Sequence, residues 1–191
     1  SVADELADEG IRLEYLDCGG GLGIDYQGAA PGLADWVRVI GPVIGAAGYG
    51  LVVEPGRSIV GRAGALLTRV VYTKQQGDKR FVIADAGMTD LIRPTLYQAH
   101  HPIVPVAPAA GEEVVDVVGP ICETSDFLAR DRALPPLAAG DLLAVLHAGA
   151  YGFAMSSNYN GHLRPAEVLV EGDAFRVIRR RQTYADLIAG T

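Results

Sequence analysis

Lysine is nearly missing from this sequence, occurring twice in 191 residues, at Lys74 and Lys79. Basic residues are scarce as well. Sixteen Lys plus Arg against twenty-three Asp plus Glu leave a net charge of −7, the wrong sign for a face that neutralises nucleic-acid phosphates. Two cysteines cannot staple a disulfide-rich scaffold or fill a four-cysteine zinc site, and they suit a reducing compartment. No apolar run reaches the ~18 residues of a membrane span. The opening SVADELADEG has no basic, apolar signal-peptide pattern. These absences predict a soluble, cytoplasmic protein with no membrane or nucleic-acid partner.

Glycine, by contrast, is abundant, with 24 residues. That exceeds the roughly 7% average and implies many tight turns or close backbone approaches. A composition 49% hydrophobic and 20% charged is that of a globular chain able to bury a sizeable core. Residues 2–9 have helical spacing and stop at Gly10, and IRLEYLD reads as a short strand running into a glycine loop. Residues 33–47 read as a helix marked by Pro42, and LVVEPGR as a compact strand ending in a turn. This is the βα alternation of a parallel sheet or barrel. After Arg62 the texture changes. Two β-rich runs flank a QQGDK turn, EEVVDVVGPI and GDLLAVLHAGA add strands, and a hairpin is expected across Gly172-Asp173. TYADLIAG reads as a closing helix, and PVAPAAGEE (105–113) as a flexible loop. The predicted class is α/β plus β, with residues 1–62 as βα units and 63–191 as a Greek-key-like β-barrel or sandwich. A complete (β/α)₈ barrel needs about 250 residues, so the first segment is expected to be only the last βα units of one.

Five segments hold candidate chemistry. DCGGGLG (17–23) follows a strand, and its glycines let backbone N–H groups converge on a phosphate; a tight structural turn accounts for it equally well. Cys18 reads as a packing residue. Glu54-Pro55-Gly56-Arg57 also follows a strand, so the two loops would open on the same face, where barrel ligands sit. In the segment from Asp85 to Pro102, Arg93 and Tyr97 suit an anion, Arg as a fork for a carboxylate; a solvated loop is the plainer alternative. His100 and His101 lack neighbouring ligands at metal spacing, so no metal site is predicted. In GPICETSD (119–126), Cys122 beside two carboxylates is a poor thiolate nucleophile and a better holder of its proton, although burial is the commoner fate of a lone cysteine. Tyr151 sits in a glycine bracket ahead of SSNYN (156–160), poised for phosphate or substrate or packed as a core aromatic. Arg179-Arg180-Arg181 reads as a solvated strand edge.

Taken in order, DCGGGLG, EPGR, DAGMTDLIRPTLYQAHHPI, GPICETSD and GAYGFAMSSNYN resemble the C-terminal half of the diaminopimelate decarboxylases. These are fold-type III pyridoxal 5'-phosphate enzymes related to ornithine decarboxylase. The resemblance covers essentially the whole chain, and the forms RPxLY and CE-S/T-x-D favour diaminopimelate over ornithine or arginine decarboxylases. It implies a cofactor-binding (β/α)₈ barrel, a C-terminal β-domain and a homodimer with shared active sites. It further implies that Gly21, Glu54, Pro55, Gly56 and Arg57 bind the cofactor phosphate, with Tyr151 facing cofactor and substrate. Arg57, Arg93 and Tyr97 would hold the distal carboxylate of meso-diaminopimelate, and Glu123 its distal ammonium. Cys122 would return a proton after CO2 leaves, reaching the site with Glu123 from the partner subunit.

One departure bears on activity. The family's cofactor forms a Schiff base with a lysine on an early barrel strand, and neither Lys74 nor Lys79 lies in such a motif. The family's ring-stacking histidine has no counterpart either. The sequence therefore reads as a C-terminal segment, inactive alone. A related amino-acid decarboxylase or a non-catalytic dimerisation module are the alternative readings.

Overall fold

In the computed structural model, which describes residues 2–28 and 30–190, the chain divides into two units, Ser1–Val60 and Gly61–Thr191. The first begins with helix α1 (Val2–Asp8) and strand β1 (Tyr15–Asp17), followed by α2 (Leu33–Ala46), β2 (Gly50–Val52) and the short α3 (Gly56–Val60). Strands β1 and β2 are parallel, with Leu16 opposite Leu51. Parallel pairing requires a crossover, and α2 supplies it, with Pro42 inside the helix. Because the strands are parallel, the loops after Asp17 and after Val52 leave the same end of the pair.

The second unit is built on a mixed sheet of six strands. Its members are β3 (Leu66–Gln76), β4 (Lys79–Ala84), β5 (Ile103–Pro105), β6 (Glu113–Val118), β7 (Phe127–Leu134) and β8 (Leu142–Val145). Their spatial order is β5-β8-β3-β4-β6-β7. The pair β3–β4 is the expected hairpin, turning through Gly77 and Asp78. Between β4 and β6 the pairing is parallel, a contact that a purely antiparallel Greek key lacks. Val70, Val82, Leu91, Val115, Val117, Leu128, Leu143 and Val145 form the buried core under this sheet. Helix α4 (Arg93–Tyr97) interrupts the strands. Strands β9 (Glu167–Glu171) and β10 (Ala174–Arg179) make the separate hairpin expected across Gly172-Asp173, and α5 (Tyr184–Leu187) closes the chain behind a Thr183–Asp186 capping box. The segment expected as a loop at 105–113 is strand at both ends and irregular between. Among the described residues no helix is long and apolar enough to cross a membrane.

Candidate active site

In the first unit the two glycine-bearing loops are bonded to each other. Glu54 N–H donates to the Gly19 carbonyl at 2.8 Å, and Cys18 N–H to the Val52 carbonyl at 3.0 Å. The approach is so close that a Cβ on Gly20 would lie 2.8 Å from the Glu54 carbonyl oxygen. Gly21 follows at φ +83 with open space where a side chain would stand, and the Cβ position of Gly56 is open too. Backbone geometry requires glycine at 20, by close approach, and favours it at 21, by positive φ, and it leaves backbone free of side chains around this loop. Cys18, read as packing from the sequence, is exposed, which a position on a loop after a three-residue strand explains.

In the second unit the loop from Asp85 to Ile92 leads into α4, and the turn from Gly119 to Asp126 carries Cys122 and Glu123. The two are pinned together. Asp126 is buried, and its carboxylate accepts Met88 N–H at 2.6 Å on one oxygen and Ile121 N–H at 2.7 Å on the other. Thr95 of α4 adds a third tie, its Oγ1 donating to the Ser125 carbonyl at 2.6 Å. Arg93 is only 6% exposed, so it is no solvated loop residue, and Tyr97 on the same short helix is 62% exposed. The Arg93 guanidinium lies 5.8 Å from the Tyr151 ring centroid and donates from Nη1 to His101 Nε2 at 2.9 Å. Tyr151 itself sits at φ +60 and is half exposed, which sets aside the core-aromatic alternative.

Cys122 is exposed, contrary to the usual burial of a lone cysteine, and lines a cavity of about 670 Å³ together with Arg69, Asp85, Asp90, His162 and Arg181. Its neighbour Glu123 lines a separate cavity of about 270 Å³ with Thr89, Ile92, Ser157 and Tyr159. Ser125 donates to Glu123 Oε1 from both N–H (3.3 Å) and Oγ (3.1 Å), and the Tyr159 hydroxyl donates to Oε2 at 3.3 Å. These donors, Ser125 foremost, hold the Glu123 carboxyl below the usual range and keep it ionised. Sequence reading left Tyr159 and Asp126 without roles, although both fall in motifs it quoted. The small-residue runs around them, rather than their own types, were the available signal. Of the three C-terminal arginines, Arg179 and Arg180 pair with Glu167 and Asp186, while Arg181 lines the larger cavity and is not merely an edge residue.

Comparison with known proteins decides the family. Residues 2–149 match the model of the pyridoxal-dependent decarboxylase C-terminal sheet domain. The chain belongs to the pyridoxal-dependent decarboxylases. A diaminopimelate decarboxylase of Pseudomonas aeruginosa is 54% identical over 191 residues, covering 99% of this chain and 46% of the relative. The crystal structure of diaminopimelate decarboxylase from M. jannaschii superposes with a TM-score of 0.92 at 40% identity, over 99% of this chain and 45% of that one. The Helicobacter pylori diaminopimelate decarboxylase complexed with L-lysine gives 0.89 at 42%, over 97% of this chain and 46% of that one. This member of the decarboxylase family thus spans about half the length of the relatives it matches.

Proposed function

We propose that the protein containing this chain decarboxylates meso-2,6-diaminopimelate to L-lysine and CO2 with pyridoxal 5'-phosphate, and that the first unit is the end of its (β/α)₈ barrel. The observation that carries this reading is a buried cation, Arg93, and a carboxylate held ionised, Glu123, which a shared site would take from two copies of the chain. Together they suit the carboxylate and ammonium of an amino-acid terminus. The similarity to proteins named diaminopimelate decarboxylase supports the choice of substrate.

When bound, the cofactor supplies a sink for the electron pair left as CO2 departs. In the first unit, Gly21 and the turn of Glu54, Pro55, Gly56 and Arg57 would bind its phosphate through backbone N–H groups and the Arg57 cation. In the second unit, Tyr151 would face the cofactor. Arg57, Arg93 and Tyr97 would hold the distal carboxylate of the substrate, and Glu123 its distal ammonium. Cys122 would hold a proton on Sγ and deliver it to the α-carbon once CO2 has left. A substrate lacking the zwitterionic end would forgo the contacts to Arg93 and Glu123, and that difference supplies discrimination. Cys122 and Glu123 would serve the active site of a second copy in a homodimer. The substitution Arg93→Ala in the cofactor-loaded protein tests the reading. Turnover of meso-diaminopimelate should fall by about a hundredfold or more while a slow background on ornithine is unchanged; equal losses on both would argue for a substrate without a distal carboxylate.

A further inference from the structure

The Cys122–Glu123 turn has little regular structure of its own, with three residues, Gly119, Ser125 and Asp126, anchoring its ends. Asp126 lies 4% exposed beneath it. One carboxylate oxygen takes the N–H of Ile121, immediately before Cys122, and the other takes the N–H of Met88 in the loop that leads to α4. The backbone of Asp126 contributes as well: its N–H donates to the Glu123 carbonyl at 3.1 Å, and its carbonyl accepts Gly119 N–H at 3.1 Å. Space around the carboxylate is limiting. A Cβ on Gly119 would lie 2.5 Å from Oδ1 and 2.6 Å from the Gly87 Cα, and a Cβ on Gly87 would lie 2.9 Å from the Asp126 Cγ. The two glycines therefore let both loops close onto one buried anion.

We propose that Asp126 is a positioning residue that sets where Cys122 and Glu123 stand on their turn, by anchoring that turn to the loop carrying Met88. Bonds to a charged acceptor are among the stronger protein hydrogen bonds. Both carboxylate oxygens are spent on backbone, one per loop, so Asp126 fixes the turn to its own unit and touches no substrate itself. A misplacement of about 1 Å in such a site costs up to a hundredfold in rate. The proposal rests on the assignment of Glu123 to the distal ammonium, and the test separates the two.

Asp126→Asn keeps the size of the side chain but replaces one acceptor with a donor facing a backbone N–H. In the cofactor-loaded protein, kcat/KM is compared for meso-diaminopimelate and for 2-aminopimelate, which lacks the distal ammonium. Glu123→Gln should collapse the preference for diaminopimelate by about tenfold or more, and if it does not, the Glu123 assignment fails. With Glu123→Gln behaving as expected, Asp126→Asn should collapse the same preference, and the double variant should lose little more than either single one. Gly119→Ala, which crowds the same carboxylate from the other side, should reproduce the effect. Equal losses on both substrates from Asp126→Asn and Gly119→Ala, or fully additive losses in the double variant, would reduce Asp126 to general stability and overturn the proposal.

Discussion

Arg93 Nη1 lies 2.9 Å from His101 Nε2, and both side chains are buried. A guanidinium can only donate, so Nε2 must accept. The ring proton is then on Nδ1, which donates to the Leu146 carbonyl at 2.9 Å. His101 is thus a neutral orienting group for the cation proposed to bind carboxylate. Replacing it with Leu removes the acceptor, and KM for meso-diaminopimelate should rise about tenfold with a smaller change in kcat. His101→Gln restores an acceptor and should recover part of the loss. Steady-state kinetics of the two variants check this.

The same histidine gives a pH dependence. Burial is the main cause that lowers its pKa to about 4, with Arg93 adding repulsion and the Leu146 hydrogen bond opposing. Its folded-state pKa lies below the unfolded value of about 6.5. The unfolded chain therefore binds the extra proton between these values, and stability falls as pH drops through that window. The contribution is complete above about pH 6.5 and is lost, by up to about 3 kcal/mol, near pH 4. Asp90 acts with the opposite sign, because burial raises its carboxyl pKa and favours the folded state in acid. Denaturant unfolding from pH 4 to 7 should therefore show a shallower slope in His101→Gln than in the parent.

Neither lysine of this chain suits the cofactor's aldehyde. Lys79 Nζ lies 3.0 Å from Asp116 and 3.4 Å from Asp131, and the Asp116 hydrogen bond raises its pKa, which keeps the amine protonated and unreactive. Lys74 lies within β3, paired with Phe81 of β4. Borohydride trapping of the cofactor in the loaded protein, followed by peptide mapping, should label neither residue.

Much of the architecture was legible because it is written in local pattern. The βα alternation up to Arg57, the β3–β4 hairpin and the Gly172-Asp173 hairpin each follow from periodicity and turn residues close in sequence. Strand β7 was not foreseen. Its FLARDRAL interrupts alternation with charge, and only its two ends bury apolar side chains against the core. The parallel β4–β6 pairing was equally hidden, since register between distant strands leaves no local signature. For the proposed site, the motifs named Arg93, Cys122, Glu123 and Tyr151. They did not show that Arg93 is buried or that Asp126 joins its loop to Ile121, because both depend on long-range folding.

The proposed sharing of sites between subunits has a direct consequence. Arg57→Ala and Cys122→Ala should each be nearly inactive as pure proteins. Mixed and refolded together, they should regain a fraction of parental activity, because hybrid dimers would hold one site free of both changes. No recovery from demonstrably hybrid dimers would place Cys122 and Arg57 in the same subunit's site.

The most direct measurement is product analysis of the intact, pyridoxal-phosphate-loaded protein incubated with meso-2,6-diaminopimelate. The account predicts L-lysine and CO2 in equal amounts, with little turnover of ornithine or arginine. A folded, cofactor-loaded protein that leaves diaminopimelate untouched, or that prefers ornithine, would contradict it.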